Sequence, residues 1–137
     1  MLFVVCSAGR LLAQTNEVVR HNFASPQRGA SPFAGVIRDA AGNIFGTTYW
    51  GGPANAGVVF KVSPAGVGTV LYSFTGGADG GNPQGDLVQD SSGNIYGTTL
   101  YGGGANAGVI FKLDSTGNET VLHSFTAGST EAIRAGI

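Results

Sequence analysis

The sequence has little charge, one cysteine and no long apolar run. Only 11% of its 137 residues are charged and the formal net charge is −1. The seven basic residues are scattered singly, so the basic stripe that a nucleic-acid interface needs is missing. Cys6 has no partner for an internal disulfide. No stretch approaches the roughly 20 apolar residues of a membrane-spanning helix. We therefore expect no nucleic-acid partner and no membrane span.

Glycine, by contrast, is abundant. The chain has 24 glycines, about two and a half times the usual share of roughly 7%, without the triplet period of collagen. Such a density is typical of many tight turns between short strands. The hydrophobic content of 42% argues against a disordered chain.

The N-terminal residues 1–16 resemble the end of a secretory signal. An apolar run at residues 2–6 and a second at 11–13 are followed by polar residues, so cleavage near Ala13 is consistent with the pattern. The basic beginning of a signal is missing and Arg10 interrupts the apolar part. We favour the interpretation of a damaged or truncated signal over that of a plain N-terminal strand or helix.

The chain contains an internal repeat, the feature that most constrains the fold. Phe23, Phe74 and Phe125 are separated by equal intervals of 51 residues. Residues 34–75 align without a gap to residues 85–126, and about 23 of the 42 positions are identical. The pattern predicts five segments: the signal segment 1–16, the last strand of a preceding unit with its linker at 17–33, a first repeat at 34–84, a second repeat at 85–126 and a divergent tail at 127–137.

Each repeat contains four short strand candidates separated by turn signals. In the second repeat they lie at residues 86–89, 94–100, 108–113 and 119–125. Val109, Phe111 and Leu113 share one face of the third candidate, but Ile110 makes the other face partly apolar as well. This pattern suits a sheet that is packed between two others.

A four-stranded unit of about 50 residues with two apolar faces is typical of a β-propeller blade, because such a sheet is stable only when neighbours cover it. The fold class that we predict is all-β, with consecutive four-stranded antiparallel blades. A β-solenoid ranks second, since its coils are roughly half as long. About two and a half blades cannot close a ring of the four to eight that propellers use. The chain is therefore expected to be a fragment of a longer array or, less favoured, to complete itself with other copies.

Three recurring motifs resemble the Gloeo/Verruco (GloVer) tandem repeat. They are D-x-x-G-N-[IL]-[YF]-G-T-T, G-G-x-x-N-A-G-V-[VI]-F-K and L-[YH]-S-F-T, found at residues 39–48 and 90–99, 51–61 and 102–112, and 71–75 and 122–126. The resemblance covers residues 18–126. It implies a secreted or cell-surface bacterial protein, propeller-like and without an assigned enzymatic activity, whose nearest partners are neighbouring repeats.

The D-x-x-G-N turns are candidates for a calcium site or for a purely structural turn. Their residues are Asp39, Gly42 and Asn43 in the first repeat and Asp90, Gly93 and Asn94 in the second. An Asp beside backbone oxygens is a hard-cation setting. In the alternative, the Asp accepts backbone N–H bonds and the Gly adopts a positive φ. Recurrence in both repeats favours the structural turn, so we predict no metal site.

The aromatic side chains beside glycine are the candidate ligand contacts. Tyr49 and Trp50 precede one glycine pair and Tyr101 precedes the other. Sugars stack well on such rings, although filling the space between neighbouring sheets is the interpretation weighed first. Trp50 is the best single candidate.

No catalytic site and no cofactor are predicted. His21 and His123 occupy the repeat position of Tyr72, which indicates packing rather than a catalytic base. The glycine-rich residues 76–82 lack the Lys-Ser/Thr and helix of a phosphate-binding loop, so they are interpreted as a connection. The carboxylates available to an enzyme are Asp39, Asp79, Asp86 and Asp90.

The function that these patterns favour is a non-enzymatic extracellular or cell-surface repeat scaffold for binding or adhesion. Its expected partners are neighbouring repeats or other copies of the chain, together with a glycan or a surface protein. A lectin-like carbohydrate-binding module that uses Trp50 and Tyr101 ranks second. A remnant of a propeller hydrolase or lyase is the third hypothesis.

Overall fold

The computed structural model describes residues 18–23 and 25–126. The signal segment and the divergent tail that the sequence predicts lie outside the described residues. Within them the protein is all-β, and its one helical element is a 3-10 turn at Pro26–Arg28. None of the described residues form a helix long and apolar enough to cross a membrane.

The strands form two antiparallel sheets that follow the two repeats. The first sheet contains, in neighbouring order, β1 (Ile37–Arg38), β2 (Ile44–Thr48), β3 (Val58–Val62) and β4 (Gly68–Ser73). The second contains β5 (Gly81–Pro83), β6 (Val88–Gln89), β7 (Ile95–Tyr101), β8 (Val109–Leu113) and β9 (Glu119–Ser124). Strands β6 to β9 are neighbours in that order, and β5 pairs with the far end of β7 on the same edge as β6.

The two sheets have the same register. Ile44 pairs with Val62 in the first sheet, and the equivalent Ile95 pairs with Leu113 in the second. A bulge follows Val59 in β3, and the same irregularity recurs after its equivalent in β8. The repeated sequence therefore builds the same sheet twice, down to a local irregularity that increases strand twist.

The structure differs from the sequence prediction at two places. Strand β5 was not expected, and its counterpart in the first repeat is a single bridge between Ala30 and Trp50. Residues 18–23, where the last strand of a preceding unit was predicted, have no strand structure. A strand needs a hydrogen-bonded neighbour, and no described strand pairs with this segment.

The two sheets pack face to face through one hydrophobic cluster. Phe45, Val59 and Phe74 of the first repeat are buried together with residues of the second repeat, namely Leu87, Ile95, Val109, Phe111 and Leu113. Fully burying one such side chain contributes about 1.5–3 kcal/mol. The shared cluster therefore makes each sheet a large part of the other's stability.

A second cluster covers the opposite face of the first sheet. It consists of Val58, Phe60 and Val62, with Phe23 packed against them. The first sheet is thus covered on both faces, as the apolar pattern of its strands requires. Glycine is needed opposite the core phenylalanines, because a Cβ on Gly97 would lie 2.7 Å from Cζ of Phe111.

Candidate functional site

The D-x-x-G-N turns use their carboxylates to hold the backbone. The Asp90 carboxylate accepts the backbone N–H of Asn94 at 2.9 Å and its side-chain amide at 2.7 Å. Asp39 accepts the same two bonds from Asn43, each at 2.8 Å. The φ angle is +83° at Gly93 and +86° at Gly42. Both carboxylates are therefore engaged within their own turns.

The same bonds set the ionisation of these carboxylates. The Asn94 side-chain bond, followed by smaller contributions from the Asn94 backbone and the Tyr96 hydroxyl, lowers the pKa of Asp90 to about 2. The Asn43 side chain likewise lowers the pKa of Asp39. Among the described residues, no group of three or more His, Cys, Asp and Glu side chains is placed to hold a metal ion.

Four aromatic side chains form a contiguous surface where β2 ends. The Tyr49 ring meets the Trp50 ring edge to face, with centroids 4.6 Å apart and an interplanar angle of 83°. The Phe33 ring lies 5.7 Å from the Tyr49 ring on another side. Burial and, after it, the neighbouring Tyr101 hydroxyl raise the pKa of Tyr49. We call these four residues the aromatic patch.

The members of the aromatic patch differ in exposure. Tyr49 is half-buried at the centre, in contact with the other three. Trp50 and Tyr101 are each 44% exposed and Phe33 is 66% exposed. The structure therefore gives Tyr49 the packing role between the repeats, while the other rings present much of their surface to solvent.

Phe33 was not singled out by the sequence analysis. Its repeat-equivalent position is occupied by Gln84. A comparison of the two repeats that looked for an aromatic residue in only one of them would have identified it. Tyr49 is replaced by Leu100 in the second repeat, and Trp50 is replaced by Tyr101. Both positions are therefore apolar or aromatic in each repeat.

Hydrogen bonds between side chains and the backbone hold the loop that carries the aromatic patch. The Thr48 hydroxyl donates to the Trp50 carbonyl at 2.8 Å and accepts the Val58 N–H at 3.3 Å. The Asn82 side-chain amide donates to the Tyr49 carbonyl at 2.9 Å. Because Asn82 lies in β5 of the second sheet, the second sheet holds the loop that carries the rings of the first.

A groove of about 420 Å³ lies at the opposite end of the strands, between the two sheets. Its lining includes Asp39, Asn43, Phe45, Lys61, Ile95 and Asp114. The two carboxylates already accept bonds inside their turns. No histidine or cysteine is among the lining residues described, so the groove holds no pair of nucleophile and imidazole base.

The two histidines that were considered as catalytic bases contribute to packing. His21 meets Phe23 edge to face at 4.9 Å, just as the Tyr72 ring meets that of Phe74 at 5.2 Å. His123 makes the equivalent contact with Phe125 at 4.8 Å. The position that accepts either His or Tyr is thus the same ring contact in all three copies.

The carboxylates considered for catalysis also have partners in the fold. Asp79 accepts the Tyr72 hydroxyl at 3.0 Å and the Thr75 N–H at 2.9 Å. Burial, and then this bond, raise the pKa of Tyr72. Asp86 accepts the Gly35 N–H at 2.7 Å, which links the two repeats.

Comparison of the chain with known protein families agrees with the motifs. No curated protein matches the chain significantly. The family model described as the Gloeobacter/Verrucomicrobia repeat matches residues 10–137, which is nearly the whole chain and includes both repeats. The resemblance that the motifs carry is therefore confirmed, and the chain belongs to the Gloeobacter/Verrucomicrobia repeat family.

Proposed function

We propose that the protein is a non-enzymatic repeat scaffold, extracellular or at the cell surface, that binds or adheres through the loops of its sheets. Its two sheets are consecutive blades of a propeller-type array in this proposal. The equal register of the sheets and their face-to-face core support the array, because the two sheets bury apolar faces against each other.

The observation that carries the binding role is the exposure of the aromatic patch. Monomeric proteins seldom expose large adjoining aromatic rings without a binding function. Here the exposed rings of Trp50 and Tyr101 are held on hydrogen-bonded backbone. Rigid rings lose little conformational entropy when a ligand covers them, which favours binding.

A carbohydrate is the ligand that the patch favours. The C–H face of a sugar ring stacks on a flat aromatic surface, while its hydroxyl groups need polar neighbours. The Tyr49 ring meets the Trp50 ring, and the Tyr49 hydroxyl interacts with that of Tyr101, so the patch supplies both donors and acceptors. A lectin-like module is therefore the second candidate function, and it uses the same surface as the scaffold.

We propose no catalytic role. Asp39, Asp79, Asp86 and Asp90 all accept hydrogen bonds that build turns or join the repeats. An enzyme would need such a carboxylate near a substrate in a cleft and with an adjusted pKa. The hydrolase or lyase hypothesis consequently ranks third.

The carbohydrate proposal is tested on a glycan array with the wild type, Trp50→Ala and Val67→Ala. Val67 is 61% exposed in the turn between β3 and β4, so its variant is a matched control away from the patch. We expect selective glycan binding that Trp50→Ala reduces at least about tenfold, with an unchanged melting temperature. Equal binding by Trp50→Ala, or no binding by the wild type, would reject the carbohydrate ligand.

The surface location needs a separate test. Protease added to intact host cells should digest the protein while a cytoplasmic marker remains whole. Full protection of the protein from the protease would contradict an extracellular or cell-surface scaffold.

A further inference from the structure

The outer face of the second sheet is a copy of a surface that is buried in the first. Its apolar residues are Val88, Tyr96, Ile110 and Leu122, which we call the outer face. The repeat-equivalent residues of the first sheet are Ile37, Phe45, Val59 and Leu71. Phe45 and Val59 are buried in the core cluster between the sheets, and Ile37 and Leu71 are partly buried against it.

Each outer-face residue is more exposed than its equivalent in the first sheet. Phe45 is 7% and Val59 is 0% exposed, whereas Tyr96 and Ile110 are half-buried. Ile37 and Leu71 are half-buried, whereas Val88 is 65% and Leu122 is 52% exposed. The apolar residues are the same in kind, but no sheet among residues 25–126 packs over them as the second sheet packs over the first. The outer face therefore has the chemistry of a sheet-to-sheet interface.

A complementary surface lies at the other end of the protein. Leu87, which is 3% exposed, packs into the core between the sheets, whereas its equivalent Val36 is 58% exposed beside the first sheet. The adjoining residues Val58, Phe60 and Val62 are the equivalents of the second-sheet residues that receive the first sheet. We call this surface, with Val36, the first face.

Residues 20–23 cover part of the first face in the manner of a preceding β4. The Phe23 ring meets Phe60 at 5.0 Å and 71°, and the equivalent Phe74 ring meets Phe111 at 5.1 Å and 69°. The backbone matches as well, because a Cβ on Gly66 would lie 3.0 Å from the Arg20 carbonyl oxygen.

The equivalent backbone contact in the second repeat is similar in length. A Cβ on Gly117 would lie 3.4 Å from the carbonyl oxygen of Leu71, the repeat equivalent of Arg20. Residues 20–23 therefore take, against the first sheet, the position that residues 71–74 take against the second. They occupy the place that a docking repeat would need.

We propose that the outer face binds the first face of a second copy of this chain, head to tail. Phe125 of one copy then takes the position over Phe60 that Phe23 holds in the other copy, and residues 20–23 move aside. The new contact repeats the interface between the two sheets of one chain. The proposal rests on the scaffold role but not on any ligand of the aromatic patch.

The geometry favours this arrangement over a symmetric pairing of two outer faces. Lys112 lies on the same side of β8 as Ile110, so two outer faces brought together would place like charges in one interface. A head-to-tail contact generates a ring when its rotation closes.

Sedimentation velocity on the full chain under reducing conditions tests the proposal. Val36→Glu disables the first face, and the double variant Val88→Glu/Leu122→Glu disables the outer face. All three positions are more than half exposed, so the monomer fold should persist, which circular dichroism and melting temperature verify. Ala54→Glu, at an exposed position in the loop between β2 and β3, is the control.

We expect the wild type and Ala54→Glu to associate and the two face variants to stay monomeric. Mixing the two face variants should yield a one-to-one heterodimer, because each retains the surface that the other lacks. A wild type that remains monomeric at about 100 μM, well above the micromolar range of ordinary transient contacts, would overturn the proposal. Persistent association of Val36→Glu alone would also overturn it, in favour of a symmetric pair.

Phe23→Ala gives an independent readout. Loosening residues 20–23 raises the fraction of chains with an open first face, so we expect association to strengthen by about tenfold. Weaker association of this variant would contradict displacement of the segment. Glycan binding and its loss in Trp50→Ala are measured separately, so failure of docking and failure of the carbohydrate proposal remain distinguishable.

Discussion

Phe74 meets Phe111 edge to face, with ring centroids 5.1 Å apart and an interplanar angle of 69°. The contact joins the end of the first repeat to the middle strand of the second. Phe23 and Phe60, which are the equivalent residues one repeat earlier, form almost the same contact at 5.0 Å and 71°. The same phenylalanine contact thus joins residues 20–23 to the first sheet and the first repeat to the second sheet. Such ring pairs stabilise the fold by about 0.5–1.5 kcal/mol beyond the contribution of their buried area.

The equivalent phenylalanines should differ in their effect on stability. Phe74 is 1% exposed, so we expect Phe74→Ala to lower the free energy of unfolding by about 3–5 kcal/mol through lost burial and a cavity. Phe23 is only half-buried, and Phe23→Ala should cost about 1 kcal/mol. Urea denaturation of both variants measures the difference. Equal losses would show that residues 18–23 are as firmly packed as the core.

Two adjacent threonines of β2 should respond in opposite ways to the same substitution. The Thr48 hydroxyl satisfies the Val58 N–H and the Trp50 carbonyl, so Thr48→Val should destabilise by about 1–3 kcal/mol. The Thr47 hydroxyl is buried without a hydrogen-bond partner. Thr47→Val should therefore raise the free energy of unfolding by about 1 kcal/mol. Chemical denaturation checks both, and a loss of stability in Thr47→Val would contradict this account.

Much of the fold could be predicted from the sequence. The candidates at residues 94–100, 108–113 and 119–125 correspond to β7, β8 and β9 with bounds displaced by at most one residue. Alternating apolar residues and the glycine turns between them determine these strands locally. The equal register of the two sheets follows from the ungapped repeat.

The parts that could not be predicted depend on how the sheets stack. Strand β5 lies in a glycine-rich segment that resembles a connection, and it forms because Gly81 and Pro83 reach the far end of β7. Tyr49 and Tyr101 meet although they are not equivalent repeat positions. Only the relative placement of the sheets brings them together, and local patterns carry no information on that placement.

The Tyr96 hydroxyl should contribute to the low pKa of Asp90. It donates to the Asp90 carboxylate at 2.9 Å, whereas the equivalent residue beside Asp39 is Phe45, which has no hydroxyl. Tyr96→Phe should raise the pKa of Asp90 above about 2 while leaving it below the ordinary value, because the bonds from Asn94 remain. Carbon-13 NMR titration of the carboxyl groups measures this. An unchanged pKa would remove the hydroxyl from the explanation, and Phe45→Tyr provides the converse test at Asp39.

The turn carboxylates should make stability depend on pH on the acid side. A carboxyl whose pKa is lower in the folded state stabilises the fold above its unfolded pKa of about 3.9. For Asp90 this stabilisation is lost as the pH falls from about 4 through about 2. Urea midpoints measured across this range should fall steeply for the wild type and less steeply for Asp90→Asn. Parallel curves would show that the turn does not couple to folding.

Asn82 should connect the second sheet to the aromatic patch through both its backbone and its side chain. Its φ is +54°, its N–H donates to the Ala56 carbonyl at 2.6 Å and its amide donates to the Tyr49 carbonyl at 2.9 Å. Asn82→Gly keeps the backbone conformation and loses only the amide bond, so we expect a cost of about 1 kcal/mol.

Asn82→Ala loses the same bond and also adds about 1–2 kcal/mol for a left-handed backbone. Its free energy of unfolding in urea should therefore fall below that of Asn82→Gly. In both variants Trp50 fluorescence should shift to the red, because the loop beneath the ring loosens and water gains access. Ser31→Gly, at the repeat-equivalent position with a φ of +59°, provides the control for changing the backbone alone. If Asn82→Gly left both stability and fluorescence unchanged, the amide bond would not be what holds the patch in place.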